Sequence, residues 1–188
     1  NSWININANV YSNWFRNKIE GMWSNDQTEL HYINIGKSRL AGVETMCKIQ
    51  INRHINVHGA YNYLYTSKDA DGVRLSSSSP HSGNIRAEYN TRIPRYATVV
   101  NLSGNIMGKK KFDVLDELEI DGKKVEAYYQ AKVNPYCLWD LTVSQYIMQN
   151  LRITAGITNL FDYTSDRVTF NTSTSPGRNY FIACNYTL

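Results

Sequence analysis

Three observations predict an all-β fold for this sequence, an antiparallel up-and-down transmembrane β-barrel wall. First, apolar and polar residues alternate with a period of two in segments of about ten residues, the length of tilted strand that a bilayer core requires. Second, no run approaches the roughly 18 consecutive apolar residues of a membrane helix. The mean hydropathy of −0.46 is what alternating strands average out to. Third, the connections between the eight candidate strands run long, short, long, short along the chain. All short turns then lie at one end of the sheet and all long loops at the other, as in an outer-membrane barrel.

At 188 residues, with 42% apolar and 19% charged side chains, the chain suits one domain and is neither disordered nor heavily solvated. Fourteen Tyr, four Trp and 21 Asn against four Pro favour strands and polar loops, and the aromatics suit interface girdles. The net charge of +4 comes without a polybasic block apart from Lys109-Lys110-Lys111, which gives no case for nucleic acid. Cys47, Cys137 and Cys184 are widely spaced at apolar positions, without metal-binding spacing, and read as small unpaired hydrophobes. Asn1 opens directly into strand-like sequence with no signal peptide before it, so the chain reads as trimmed or as the C-terminal piece of something longer.

The first strand covers 3–11, with Ile4, Ile6, Ala8 and Val10 on one face and Asn5, Asn7 and Asn9 on the other. Residues 12–32 read as a long polar-aromatic stretch containing Trp14, Phe15, Trp23 and the loop-like Ser24-Asn25-Asp26. The second strand, 34–51, sets Val43, Thr45, Cys47, Ile49 and Ile51 against Glu44, Lys48 and Gln50. Asn52, Arg53 and His54 separate it from the third, where Ile55, Val57, Gly59, Tyr61, Tyr63 and Tyr65 alternate with Asn56, His58 and Asn62. A long loop over 67–82 leads to the fourth, with Ile85, Ala87 and Tyr89 against Arg86, Glu88 and Asn90. A tight connection at Ile93-Pro94-Arg95 precedes the fifth strand, 96–108. Residues 109–126 read as a hairpin extension around Asp121-Gly122, a strong turn signal. The sixth strand, 129–146, carries Cys137, Trp139, Leu141 and Val143 opposite Asp140, Thr142 and Ser144. The closing hairpin has Leu151, Ile153, Ala155 and Ile157 in one arm, a Ser/Thr-rich loop, then Tyr180, Ile182, Cys184, Tyr186 and Leu188 in the other.

Three stretches carry a resemblance. Asn34-Ile35-Gly36-Lys37-Ser38-Arg39-Leu40-Ala41-Gly42-Val43-Glu44 is similar to the N-x-G-K-A-x-x-x-G-x-E strand of TonB-dependent outer-membrane receptors. Gly156-Ile157-Thr158-Asn159-Leu160-Phe161-Asp162 resembles their G-x-x-N-L-F-D, and Pro176-Gly177-Arg178-Asn179-Tyr180-Phe181 their P-G-R-x-Y. Trp139-Asp140 and the placing of Pro80 before the fourth strand fit too, and the likeness is to Bacteroidetes-like members. The family ends on Phe or Trp, where this chain has Leu188 with Tyr186 two before it. The resemblance implies a barrel of about 22 strands plugged by an N-terminal domain that bears a TonB-contacting box. Residues 1–188 would be the C-terminal eight strands, with plug and box absent. It implies an outer-membrane receptor, not an enzyme, that imports an iron chelate, haem, cobalamin or glycan with energy supplied through TonB. The partners implied are its own plug and remaining strands, TonB, lipopolysaccharide, outer-membrane lipid and the nutrient, with no cofactor.

Charged residues of lumen-facing parity, Glu44, Lys48, Arg86, Glu88 and Arg152, are expected to meet the plug or a transported solute, since charges on an inner wall need water or a protein surface. Substrate contacts are expected from the long loops: Trp14, Phe15, Arg16 and Trp23 in the first, Arg74 and His81 in the second, then Lys109 to Lys111 and Tyr163 to Arg167. The plainer reading gives Trp14 and Trp23 to the aromatic girdle and the lysines to lipopolysaccharide phosphates. Asn159, Asp162 and Arg178 belong to the rim of the last hairpin, as loop-ordering residues before ligands.

Catalysis finds little support. His54 and His58 fall on a turn and a strand instead of the helix that this spacing needs for zinc, and Asp69-Ala70-Asp71-Gly72 lacks the later ligands of a calcium loop. The Ser76 to Ser79 run has His81 nearby but no nucleophile elbow. Three Asn-x-Ser/Thr triplets, at Asn101, Asn171 and Asn185, read as chance. Two other folds stay open: a self-contained eight-stranded outer-membrane adhesin or structural barrel, and a soluble β-sandwich whose apolar faces pair with each other.

Overall fold

The chain forms ten strands: β1 (Ile4–Trp23), β2 (Leu30–Gln50), β3 (Ile55–Thr66), β4 (His81–Asn90), β5 (Thr98–Met107), β6 (Lys110–Ile120), β7 (Lys123–Val133), β8 (Tyr136–Tyr146), β9 (Leu151–Thr158) and β10 (Asn179–Tyr186). The computed structural model describes residues 3–24, 28–67, 79–120, 123–148, 150–165 and 177–187, with side chains described throughout except at 20, 22, 23, 33, 35 and 112–131. Eight strands join in one antiparallel sheet in the order β1-β2-β3-β4-β5-β8-β9-β10, and β6 and β7 pair only with each other. This is the up-and-down order that the alternation predicts. The β6–β7 hairpin is inserted between β5 and β8, and its register pairs Ile120 with Lys123; Asp121-Gly122, the expected turn, lies outside the described residues.

Two expected boundaries differ. Residues 12–32 are not a long loop: β1 and β2 run on as a ladder from Ile4↔Ile49 to Trp23↔Leu30, leaving only 24–29 to connect them. Aromatic and β-branched residues at Trp14, Phe15, Ile19 and Tyr32 favour extended backbone, and the ladder satisfies their amides. The apolar/polar alternation fades there because both faces of the hairpin meet water beyond the bilayer. The sixth expected strand, 129–146, is two strands. Pro135, which has no N–H to give a ladder, sits in the break between β7 and β8.

The register sorts the sheet into two faces. One apolar row crosses seven strands, Ile49–Val57–Ala87–Leu102–Leu141–Ile157–Tyr180. Ile4, Ile6 and Val10 extend this face onto β1 through Ile49, Cys47 and Val43. The opposite face carries a polar row, Asn5–Lys48–His58–Arg86–Ser103–Asp140. Among the described residues Val133 alone is a buried core hydrophobe, whereas Val10 is 75% and Ile182 80% exposed. An apolar face of that extent exceeds what soluble monomers display and is the outward band of a membrane barrel. From Ile4 to Trp14 is ten residue steps, about 33 Å of strand. A tilt of about 40° reduces this to about 25 Å, the height of such a band.

The short connections, 51–54, 91–97 and 147–150, all lie at one end. Asparagines shape two of them. Asn52 Oδ1 accepts the amides of His54 and Ile55 at 2.8 and 2.9 Å, and Asn90 Oδ1 accepts that of Arg92 at 2.7 Å. The longer spans, including both hairpin extensions, lie at the other end. Neighbouring positions on β1 test the assignment of faces in the intact protein. Val10→Lys, close to mid-band on the apolar face, is expected to cost roughly 2–4 kcal/mol, while Asn9→Lys beside it stays close to neutral. Denaturant titration in lipid vesicles, followed by heat-modifiable gel migration, reads both; equal losses would overturn the assignment.

Candidate functional site

The polar face carries Glu44, Lys48, Arg86, Glu88 and Arg152, the five charged residues grouped by parity, together with Asp140. Glu44 lies across from Asn9 and Asn62, Lys48 from Asn5 and His58, and Arg86 from His58 and Ser103. Glu88 lies across from Asn56 and Asn101, and Arg152 from Tyr146 and Asn185. Arg86 donates from Nε and Nη2 to Asn101 Oδ1 at 3.2 and 2.9 Å, and its Nη2 is 3.5 Å from Glu88 Oε2. The Arg152 guanidinium lies 5.9 Å from the Tyr146 ring centre. Such a wall presents mixed charge and amide groups at fixed spacing. One of these, the buried Asn62 Oδ1, has no hydrogen-bond partner among the described residues. Aromatic rings lie over glycines on this face, Tyr11 over Gly42 and Phe181 over Gly156, so a Cβ at either glycine would collide with the ring.

The rim of the last hairpin is a hydrogen-bonded hub. Asn159 and Asp162 have φ of 51° and 56°, a left-handed conformation that Asn and Asp tolerate best among residues with a side chain. Asn159 is 5% exposed. Its backbone amide donates to Asp140 Oδ1 at 2.9 Å, its Nδ2 donates to the Tyr163 carbonyl at 2.7 Å, and its Oδ1 accepts the Tyr163 amide at 2.8 Å. The Leu160 amide reaches the Trp139 carbonyl at 2.6 Å. Asp162 Oδ1 accepts the Arg178 amide at 2.8 Å. Gly177 precedes it with φ of 82°, where a Cβ would stand 3.3 Å from Asp162 Oδ1. Tyr163 stacks on Tyr136, ring centres 5.0 Å apart. The hub therefore ties β8, β9 and β10 together at the long-loop end. Arg178 joins it through its backbone; its guanidinium reaches the Tyr180 hydroxyl at 3.4 Å.

The expected substrate contacts are dispersed. Trp14 and Arg16 sit on β1 in register with Arg39 and Lys37, on the same face as Ile4, Ile6 and Val10. Trp23 is the last residue of β1, with its side chain outside the described residues, and Arg74 and Arg167 also lie outside them. His81 opens β4 on the apolar face, its Nδ1 2.7 Å from the Tyr61 hydroxyl and its ring 5.2 Å from that of Tyr63. Lys110 opens β6, where burial pushes its ammonium below the ordinary lysine value. Among the described residues no group of three His, Cys, Asp or Glu could hold a metal ion.

A family model described as "TonB dependent receptor-like, beta-barrel" matches residues 1–160. The chain belongs to the TonB-dependent receptor family. Its members are outer-membrane transporters, not enzymes. Solved structures share the fold. The siderophore receptor PirA from Acinetobacter baumannii superposes with a TM-score of 0.72 at 16% identity, covering 99% of this chain and 30% of that one. The ferripyoverdine receptor of the outer membrane of Pseudomonas aeruginosa, bound to ferripyoverdine, gives 0.70 at 17%, covering 98% and 25%. The copper transporter OprC gives 0.70 at 15%, covering 99% and 29%. The chain thus spans less than a third of the length of these receptors.

Within this receptor wall, sequence reasoning missed Asp140 and Tyr163 as partners of Asn159, and Lys37 and Arg39 as partners of Arg16 and Trp14. Asp140 was legible only as part of a motif, because its bond to Asn159 spans 19 residues. Asn159→Ala removes two hydrogen bonds and strains a left-handed position, and should cost roughly 2–3 kcal/mol. Arg178→Ala keeps its backbone bond and should cost little. Thermal unfolding of the full receptor in detergent micelles compares them; an Asn159→Ala variant as stable as the parent would remove the hub from the account.

Proposed function

We propose that residues 1–188 are the C-terminal part of the barrel of a TonB-dependent receptor that takes up a scarce nutrient. The nutrient would be an iron chelate, haem, cobalamin or glycan, bound at the cell surface and imported with energy delivered through TonB. The observation that carries this reading is the family match over residues 1–160, on a sheet whose two ends have no strand partner of their own. Among the described residues β1 pairs only with β2 and β10 only with β9. A self-contained eight-stranded barrel would need those two edges to pair with each other. Exposed edges invite further strands, which the rest of a larger barrel supplies.

In this reading the polar wall of Glu44, Lys48, Arg86, Glu88 and Arg152 faces the receptor's own plug, whose polar groups complete the hydration that these charges lose. Nutrient contacts come from the plug and from the long-loop end, with Trp23, Arg74, Lys110 and Arg167 as candidates in this chain. His81, on the apolar face, is a weaker candidate. The solved relatives include a siderophore receptor and a copper transporter, so the shared wall leaves the cargo to loops and plug.

Uptake of labelled iron chelates, haem, cobalamin and oligosaccharides by cells with and without the gene, each with and without TonB, tests the proposal. The expected result is one nutrient whose uptake requires both. Uptake that persists without TonB, or that ignores the gene for every nutrient class, would overturn it.

A further inference from the structure

The three short turns form a cationic edge. Their residues, 51–54, 91–97 and 147–150, include Arg53, Arg92 and Arg95 but no Asp or Glu, although the chain holds 16 such residues. Two of the turns adjoin, the Asn90 amide donating to the His54 carbonyl at 2.8 Å. Arg53 lies against His54, its Nε donating to Nε2 at 2.8 Å. Short turns of an outer-membrane barrel face the periplasm, so this edge meets the periplasm and not the cell surface.

The middle turn is built to present its arginines. Arg92 and Arg95 have φ of 54° and 69°, left-handed backbone that residues with long side chains seldom adopt. Such backbone persists where surrounding bonds fix it, and here they do. Asn90 Oδ1 accepts the Arg92 amide at 2.7 Å, and the Thr98 amide donates to Thr91 Oγ1 at 2.9 Å. Gln145 Nε2 reaches from β8 to the Tyr96 carbonyl at 3.1 Å. Both arginines are exposed, and neither guanidinium has a hydrogen bond or ion pair among the described residues. Ile93, Tyr96 and Met148 beside them are 53%, 60% and 60% exposed. A cavity of about 550 Å³ is lined by Arg92, Arg95, Tyr146 and Met148 together with Asn90 and Val99. Asn90, Val99 and Tyr146 belong to the polar face, so the cavity lies on the side opposite the apolar face.

We propose that Arg92 and Arg95, with Arg53 beside them, hold the peptide carboxylates of the cell-wall polymer beneath the outer membrane. That polymer is a glycan bearing short peptides with free carboxylates, and it is the fixed polyanion that a periplasmic edge faces. A guanidinium pairs with a carboxylate through two parallel N–H···O bonds. The cavity takes the peptide between Arg92 and Arg95, and the Tyr96 ring supplies apolar surface for a sugar or an alanine methyl. A membrane phosphate fits less well, because the strand residues of the cavity stand on the polar face. The site anchors the barrel to the cell wall, a role apart from nutrient uptake.

The test uses the intact protein in non-ionic detergent, sedimented with purified, protein-free sacculi. Binding is expected, and it should fall by on the order of tenfold when the peptide carboxylates are amidated with a carbodiimide and ammonium. Arg92→Gln with Arg95→Gln should lose as much on unmodified sacculi, and Arg53→Gln a smaller part. Arg16→Gln with Lys37→Gln, at the long-loop end, should bind like the parent, which separates the site from net charge. Heat-modifiable migration verifies that each variant is folded; if the Arg92 and Arg95 double variant is not, amidation of the sacculi decides with the parent. The site is refuted if the parent stays in the supernatant, if amidated sacculi hold it equally, if the folded double variant binds like the parent, or if the long-loop variant loses as much. Phosphatidylglycerol vesicles that displace sacculi from Arg92 and Arg95 would assign a lipid headgroup. Polyglutamate that displaces them at lower carboxylate concentration than soluble muropeptides would assign an acidic protein segment. Either result overturns the cell-wall site. Nutrient uptake is scored separately: its loss with sacculus binding intact counts against the transport reading alone.

Discussion

The structure depends on one constraint: within a bilayer every backbone amide and carbonyl must be paired inside the protein, so the wall is a sheet and its core is the lipid. Among the described residues a single buried core hydrophobe, Val133, remains. The apolar side chains that would build the interior of a soluble domain are instead turned outward, Val10 and Ile182 among the most exposed. Each gains burial free energy from hydrocarbon rather than from a partner sheet, which is why one apolar row can cross strand after strand without a layer packed on it. The same division leaves Lys48, Arg86 and Glu88 on the polar face, where Arg86 pairs with Asn101 and Glu88.

A wall that satisfies its amides strand by strand leaves two problems, its edges and its rim. Among the described residues the outer edges of β1 and β10 pair with no further strand. The rim is solved within this chain. Asn159 and Asp162 accept left-handed backbone that most residues resist; the Asn159 amide donates to Asp140, and their side chains accept the amides of Tyr163 and Arg178. Those bonds fasten the end of β9 to the start of β10, where Tyr180 falls across from Ile157 on the apolar face. The motif that identifies the family is thus a piece of turn chemistry, and its role follows from geometry before any ligand is considered.

Beyond the bilayer the rule of faces relaxes. β1 and β2 extend as a ladder well past the apolar band, and there the alternation that marks the membrane portion gives way to a mixture of aromatic and basic residues. Trp14, Arg16, Lys37 and Arg39 occupy the boundary between the two regimes. Their parity separates them from the charges of the polar face, although in sequence the two groups look alike.

Most of the wall was legible in the amino-acid sequence, because local alternation reports a difference in environment between the two sides of a strand. Ile4, Ile6 and Val10 against Asn5, Asn7 and Asn9 state which side meets lipid, and the asymmetry of long and short connections states the up-and-down order. Alternation says nothing where both sides are wet, and so residues 12–32 read as loop although they are mostly strand. Nor does it say which residue on one strand faces which on the next. The opposition of Arg16 to Lys37, the bond from Asn159 to Asp140 and the row from Ile49 to Tyr180 are set by register, which depends on how the turns close and how distant strands meet. The sequence by itself determined the two faces and the family; only the tertiary structure decided which side chains stand together, because pairing across a ladder is a non-local property that no single segment contains.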